Sequence, residues 1–170
     1  QMLANQAGTL SPEAAMVVAK SMLETGRTQQ ACELMRDLVK NHHENHQLSD
    51  QVQALFEGAQ LGAQGSTLIA QARQEVIDIN NQGVLLAKQG DFVEGARLLR
   101  TALQNLPGSE VVMMNLCGLL IGQMRSQGKS DVLMREVVDL LKRVRQLNPA
   151  NDKYRQYMSA LHQTVGRAAG

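Results

Sequence analysis

Aromatic side chains are nearly missing from this chain. Of its 170 residues only Phe56, Phe92, Tyr154 and Tyr157 are aromatic, and Trp does not occur. Four scattered rings offer no platform on which bases could stack. A surplus of charge of either sign is missing too, with 17 basic residues against 16 acidic, so no net field draws the chain to nucleic acid. Long apolar runs are absent: "VLLA" and "GLLIG" are far too short to span a bilayer. No charged stretch followed by an apolar one opens the chain, so no secretory signal is visible. Opening on Gln1 rather than Met, the sequence reads as a piece cut from a longer protein. Cysteine is sparse as well. Cys32 and Cys117 lack a CxxC spacing, which fits a reducing, cytoplasmic setting better than a disulfide framework and implies that both thiols are small buried hydrophobes.

What remains is aliphatic and periodic. Hydrophobic residues make up 44% of the chain, and every strongly patterned segment has the 3.6-residue spacing of a helix; no period-2 strand is found. The first helix is predicted in "LSPEAAMVVAKSMLETG": Ser11 can cap it, Pro12 suits its first position, Glu13 favours the positive end of the dipole, and Gly26 stops it. Its apolar face is Ala15, Val18, Ala19 and Met22. After a turn of about three residues, "TQQACELMRDLVKN" carries Ala31, Leu34, Met35 and Leu38 on one side. A third helix, "QLSDQVQALFEGA", presents Leu48, Val52, Leu55 and Phe56, and "LGAQGS" then breaks the pattern. From Ser66 to Lys88 one stripe (Ile69, Ala72, Val76, Ile79, Gly83, Leu86) predicts a single long helix. Further helices are expected over 93–106, 110–124, 132–147 and 152–165, the last with Tyr154, Tyr157, Met158 and Leu161 inward. The polar stretch "RSQGKSD" reads as an insertion between two of them, and the segments 1–10 and 166–170 as flexible ends.

The hairpins repeat. "VIDINNQGVLLAKQGDFVEGARLLRTALQNLPGS", Val76 to Ser109, has the ~34-residue length of a tetratricopeptide unit. It resembles that family position by position. Gly83 stands where a small residue lets the first helix approach the second, with Leu86 in the large place after it. Gly90-Asp91-Phe92 matches the inter-helix turn, Gly95 the small crossing position, Leu99 and Ala102 the next large and small places, and Pro107 the close. Ile79 departs from the aromatic often found at the first position. The template fits 12–45 and 110–149 less well, the latter lengthened by 125–131, and 46–75 reads as a degenerate unit; 150–170 would cap the array. The resemblance implies an all-α fold of stacked helical hairpins in a right-handed superhelix, an α-solenoid with a C-terminal capping helix. A looser resemblance links "VIDINNQGVLLAKQGDFVEGARLLRTAL" and "LLKRVRQLNPANDKYRQYMSAL" to the helical output region of bacterial receiver-domain response regulators.

What the resemblance implies about function is non-catalytic protein–protein interaction, as the adaptor or output part of a signalling protein. In the family, first-helix residues off the packing stripe line a concave peptide groove. Here those are Ile77, Asn80, Asn81, Val84 and Lys88, then Met114, Asn115, Gly118 and Ile121, with Met114 and Ile121 as apolar pockets and the asparagines holding an extended backbone. The same positions can equally pack against a neighbouring helix. Val84 and Met114 stand where some members carry the basic residues of a carboxylate clamp, which argues against a chaperone-tail receptor. Lys142, Arg143, Arg145 and Arg155 make a mildly basic patch that could meet an acidic partner, while Glu136 and Asp139 among Arg135, Lys142 and Arg143 read as a salt-bridged, solvated face. The alternative is a homodimer formed through the end helices, with Tyr154, Tyr157 and Met158 exposed for pairing.

One stretch looks catalytic. "NHHENH", residues 41–46, holds three histidines and a glutamate, but His43-Glu44-Asn45-His46 is one residue short of the metalloprotease spacing. His42 and His46 have i,i+4 spacing only if the helix continues through Asn45, whereas the repeat places a helix end there. No metal, cofactor, catalytic set, membrane or nucleic-acid partner is expected.

Overall fold

The computed structural model describes residues 10–166. Among them lie eight α-helices and no strand: α1 (Pro12–Glu24), α2 (Thr28–Asn41), α3 (His46–Gly58), α4 (Gly62–Lys88), α5 (Phe92–Asn105), α6 (Glu110–Gln127), α7 (Asp131–Leu147) and α8 (Asp152–Gly166). Most of the expected segments 1–10 and 166–170 lies outside the described residues. Two compact units share the chain. The first runs to Asp78 and takes in the Leu106–Ser109 turn; the second comprises Ile79–Asn105 and the chain from Glu110. The division falls within α4. No described helix is long and apolar enough to cross a membrane.

In the first unit, α1 begins as its residues dictate. The Ser11 hydroxyl accepts from the Ala14 amide at 3.1 Å, and Pro12, which has no amide to satisfy, occupies the first turn. Gly26 makes the three-residue turn to α2 with φ 74°, a left-handed conformation costly for other residues. The predicted faces of α1 and α2 meet in a core that includes Ala15, Ala19, Met22, Ala31, Met35 and Leu38, joined by Val52 and Phe56 of α3 and by Leu68 and Ala72 of α4. Fully buried Phe56 is its largest member, and complete burial of such a ring contributes about 1.5–3 kcal/mol. α3 packs against both α1 and α2. Across the unit Lys40 pairs with Glu75, and the Asn41 carboxamide accepts from the Gly108 amide at 2.9 Å while donating to the Asp37 carbonyl, which ties the Leu106–Ser109 turn to the end of α2.

One expectation is corrected here. "LGAQGS" does not break the helical pattern; α4 already begins at Gly62, and the break is confined to Ala59, Gln60 (φ 61°) and Leu61. Gly65 is a crossing point instead. A Cβ there would lie 2.8 Å from the Phe56 Cβ, so the missing side chain is what lets α4 seat against α3.

The second unit is built around α6. Val112, Met113, Met114, Leu116, Cys117, Leu119, Leu120, Ile121 and Met124 are all buried, and the helix packs against α5, α7 and α8. A helix apolar on every side belongs inside. The small positions of the α4–α5 hairpin work as close contacts: a Cβ on Gly83 would meet Leu99 Cδ2 at 2.9 Å, and one on Gly95 would meet Leu119 Cδ1 at 2.7 Å and the Gly83 carbonyl at 3.3 Å. "RSQGKSD" is only partly a connection. Arg125–Gln127 extend α6, leaving a turn of Gly128 (φ 103°), Lys129 and Ser130, and Ser130 caps α7 by accepting from Leu133. Glu110, first residue of α6, accepts from both Asn148 and Asn151 at 3.1 Å and so anchors the α7–α8 turn. α8 packs on α6 and α7 together.

Candidate functional site

The histidine stretch resolves into two helix ends. α2 stops at Asn41, and His42 is its C-cap, its amide bonded to the Leu38 carbonyl. Asn45 begins a new helix, its side-chain oxygen accepting from Leu48 at 3.0 Å, and His46 is the first residue of α3. His42 and His46 therefore share no helical face. His43 is buried between them; burial holds its pKa below the ordinary imidazole value, Glu44 acts against that shift and Arg73 with it. No group of three His, Cys, Asp or Glu among the described residues is arranged to hold a metal ion.

The nine expected groove residues divide by helix. On α4, Ile77, Asn81, Val84 and Lys88 are exposed, Val84 at 42%. Asn80 is not: it is buried, and its side-chain oxygen has no hydrogen-bond partner. On α6 the expectation needs correction. Met114 and Ile121 are each only 3% exposed and serve as core, not as the walls of open pockets. Asn115 and Gly118 are half-buried, and the Tyr157 ring of α8 lies over Gly118, its hydroxyl 2.9 Å from where a Cβ would stand. Burial pushes the Tyr157 phenol upward, with a smaller contribution from Cys117. The Tyr154 ring sits 5.8 Å from the Arg145 guanidinium, a cation–π contact. Both tyrosines of α8 are thus engaged within their own unit.

An accessible groove lies in the first unit, away from the nine expected residues. A cleft of about 460 Å³ opens between α1 and α3, lined by Lys20, Leu23, Glu24, Ala54, Leu55, Gly58 and Ala59. Leu23 and Leu55 pack with one side against the core and turn the other toward the cleft. Ala54, Gly58 and Ala59 keep its α3 wall low, and Lys20 and Glu24, one turn apart, put one charge of each sign on the α1 lip. The signal was present in the third helix: small residues off the Leu48–Val52–Leu55–Phe56 stripe, on a face where solvated helices ordinarily carry long polar side chains. Chemically the cleft offers apolar contact and a low wall for close backbone approach. Neither cysteine lines it, and the Cys117 thiol is buried and pushed up to about 12.

Searches with family models, against curated proteins and against solved structures find no match to this chain.

Proposed function

We propose that this chain is a non-catalytic protein-interaction module of tetratricopeptide type, the adaptor or output part of a signalling protein, which takes a peptide segment of a protein partner in the α1–α3 cleft. The open cleft between α1 and α3, which the repeat reading makes the first helices of successive units, is the observation that carries this reading. In such repeats this is where a peptide lies. Two packing features support it. α3 rests on both α1 and α2, and α8 on both α6 and α7, and the Gly83–Leu99 and Gly95 contacts fall at the family's small positions. The partner segment is an apolar one with little net charge, since the cleft is aliphatic and its lip charges balance.

A pull-down from lysate of the source cells tests this, using the native chain beside a Leu55→Glu/Ala59→Arg variant. A protein held by the native chain and lost by the variant, with an unchanged circular-dichroism melt, supports the cleft as the binding site. Equal retention by both would move binding elsewhere.

A further inference from the structure

α4 has 27 residues where the other helices have 13 to 18. Two features inside it oppose a straight helix. Asn80 is buried, 8% exposed, and its side-chain oxygen accepts no hydrogen bond, a costly state for a buried acceptor. The run Asn80-Asn81-Gln82-Gly83 also holds three residues of poor helix propensity. Packing fixes one of them, since a Cβ on Gly83 would meet Leu99 at 2.9 Å. The division between the two compact units falls beside this run, after Asp78.

We infer that α4 carries a built-in break at Asn80: the straight helix exchanges with a broken one in which Asn80 is the N-cap of a separate helix over 81–88. Backbone hydrogen bonds single out this position. In the straight helix the amides of Asn81, Gln82 and Gly83 bond to the carbonyls of Ile77, Asp78 and Ile79. A break with Asn80 as cap releases these three bonds and keeps the next, from Val84 to the Asn80 carbonyl. Ile77, Asp78, Asn81 and Gln82 are all exposed, so water satisfies the first two released pairs. Gly83 is buried, and its amide is the third of the new helix, where the oxygen of an Asn cap accepts. The orphaned Asn80 oxygen and the one released amide on a buried residue therefore satisfy each other. Only the carbonyl of half-buried Ile79 is left without a protein partner. This inference is independent of the α1–α3 cleft.

Amide hydrogen exchange of the whole chain, read residue by residue by NMR and corrected for intrinsic rates, tests the break. The amides of Asn81, Gln82 and Gly83 are expected to exchange at least tenfold faster than those of exposed Gln74, Glu75 and Leu85 in the same helix. Asn80→Ala removes both the orphaned oxygen and the cap without adding bulk. It is expected to slow the three amides at least tenfold and leave the others unchanged, whereas Asn80→Ser keeps a capping oxygen and leaves them fast. Uniform protection along α4, or an Asn80→Ala effect spread evenly over the helix, would overturn the inference. Proline supplies a second measurement if Asn80→Ala fails to fold. Asn81→Pro is expected to lower the melting temperature by less than half as much as Gln74→Pro, because proline suits the first position after a cap and breaks a helix interior. Equal losses at the two positions would overturn the inference as well.

Discussion

His43 is the residue whose protonation the fold resists. Its buried ring favours the neutral form, so the unfolded chain binds the proton more tightly than the folded one. The stability this contributes is complete above the ordinary imidazole pKa of about 6.5 and is lost as pH falls through the lowered folded value. The urea midpoint is expected to be higher at pH 7.5 than at pH 5.5, and His43→Gln to narrow that gap; a gap that the substitution leaves unchanged would show that other groups cause it. The two thiols separate at the same scale. Iodoacetamide is expected to label half-buried Cys32 in the native protein and to reach Cys117 only on unfolding, because Cys117 is fully buried and its pKa stands near 12. Peptide mass mapping reads the order directly.

At the level of the helix, close approach and all-round burial decide what a substitution does. Gly95→Val places a Cβ within 2.7 Å of Leu119 and is expected to cost about 1–3 kcal/mol in a denaturant titration. Ile121→Lys buries a charge in the core and is expected to cost about 3 kcal/mol or more, whereas Val84→Lys on the exposed face of α4 stays within about 0.5 kcal/mol. Equal effects at the two positions would contradict the placement of α6. The sequence carried this information unevenly. Ser11, Pro12 and Gly26 announced the bounds of α1, and the stripe from Ile69 to Leu86 announced a continuous α4. Gly62 and Gly65 read as breakers because composition shows flexibility but not the Phe56 ring that a glycine admits. "VVMMNLCGLLIGQM" has almost no polar face, which signals a central helix, yet matching it to a family groove obscured that signal and put Met114 and Ile121 on the surface.

For the molecule as a whole, the all-helical class followed from a single period of 3.6 residues, and the hairpin pairing from turns such as "ETGR" and "KQGDF". The candidate site was far less legible. A cleft arises where two helix faces stop short of contact, and the α1–α3 cleft joins Lys20–Glu24 to residues about thirty positions later, a juxtaposition no local pattern encodes. The Arg100–Glu136 bond, 36 positions apart, was hidden for the same reason. The α1–α3 cleft is built by packing between helices, and no group of three His, Cys, Asp or Glu among the described residues is arranged to hold a metal ion.

The most direct measurement is photo-crosslinking in the source cells, with benzoylphenylalanine placed at Ala59 in the α1–α3 cleft and, as control, at Gln30 on the exposed side of α2. One defined protein adduct from position 59, absent from position 30, is the expected result. No adduct at 59, or the same adducts from both positions, would contradict a peptide-binding cleft between α1 and α3.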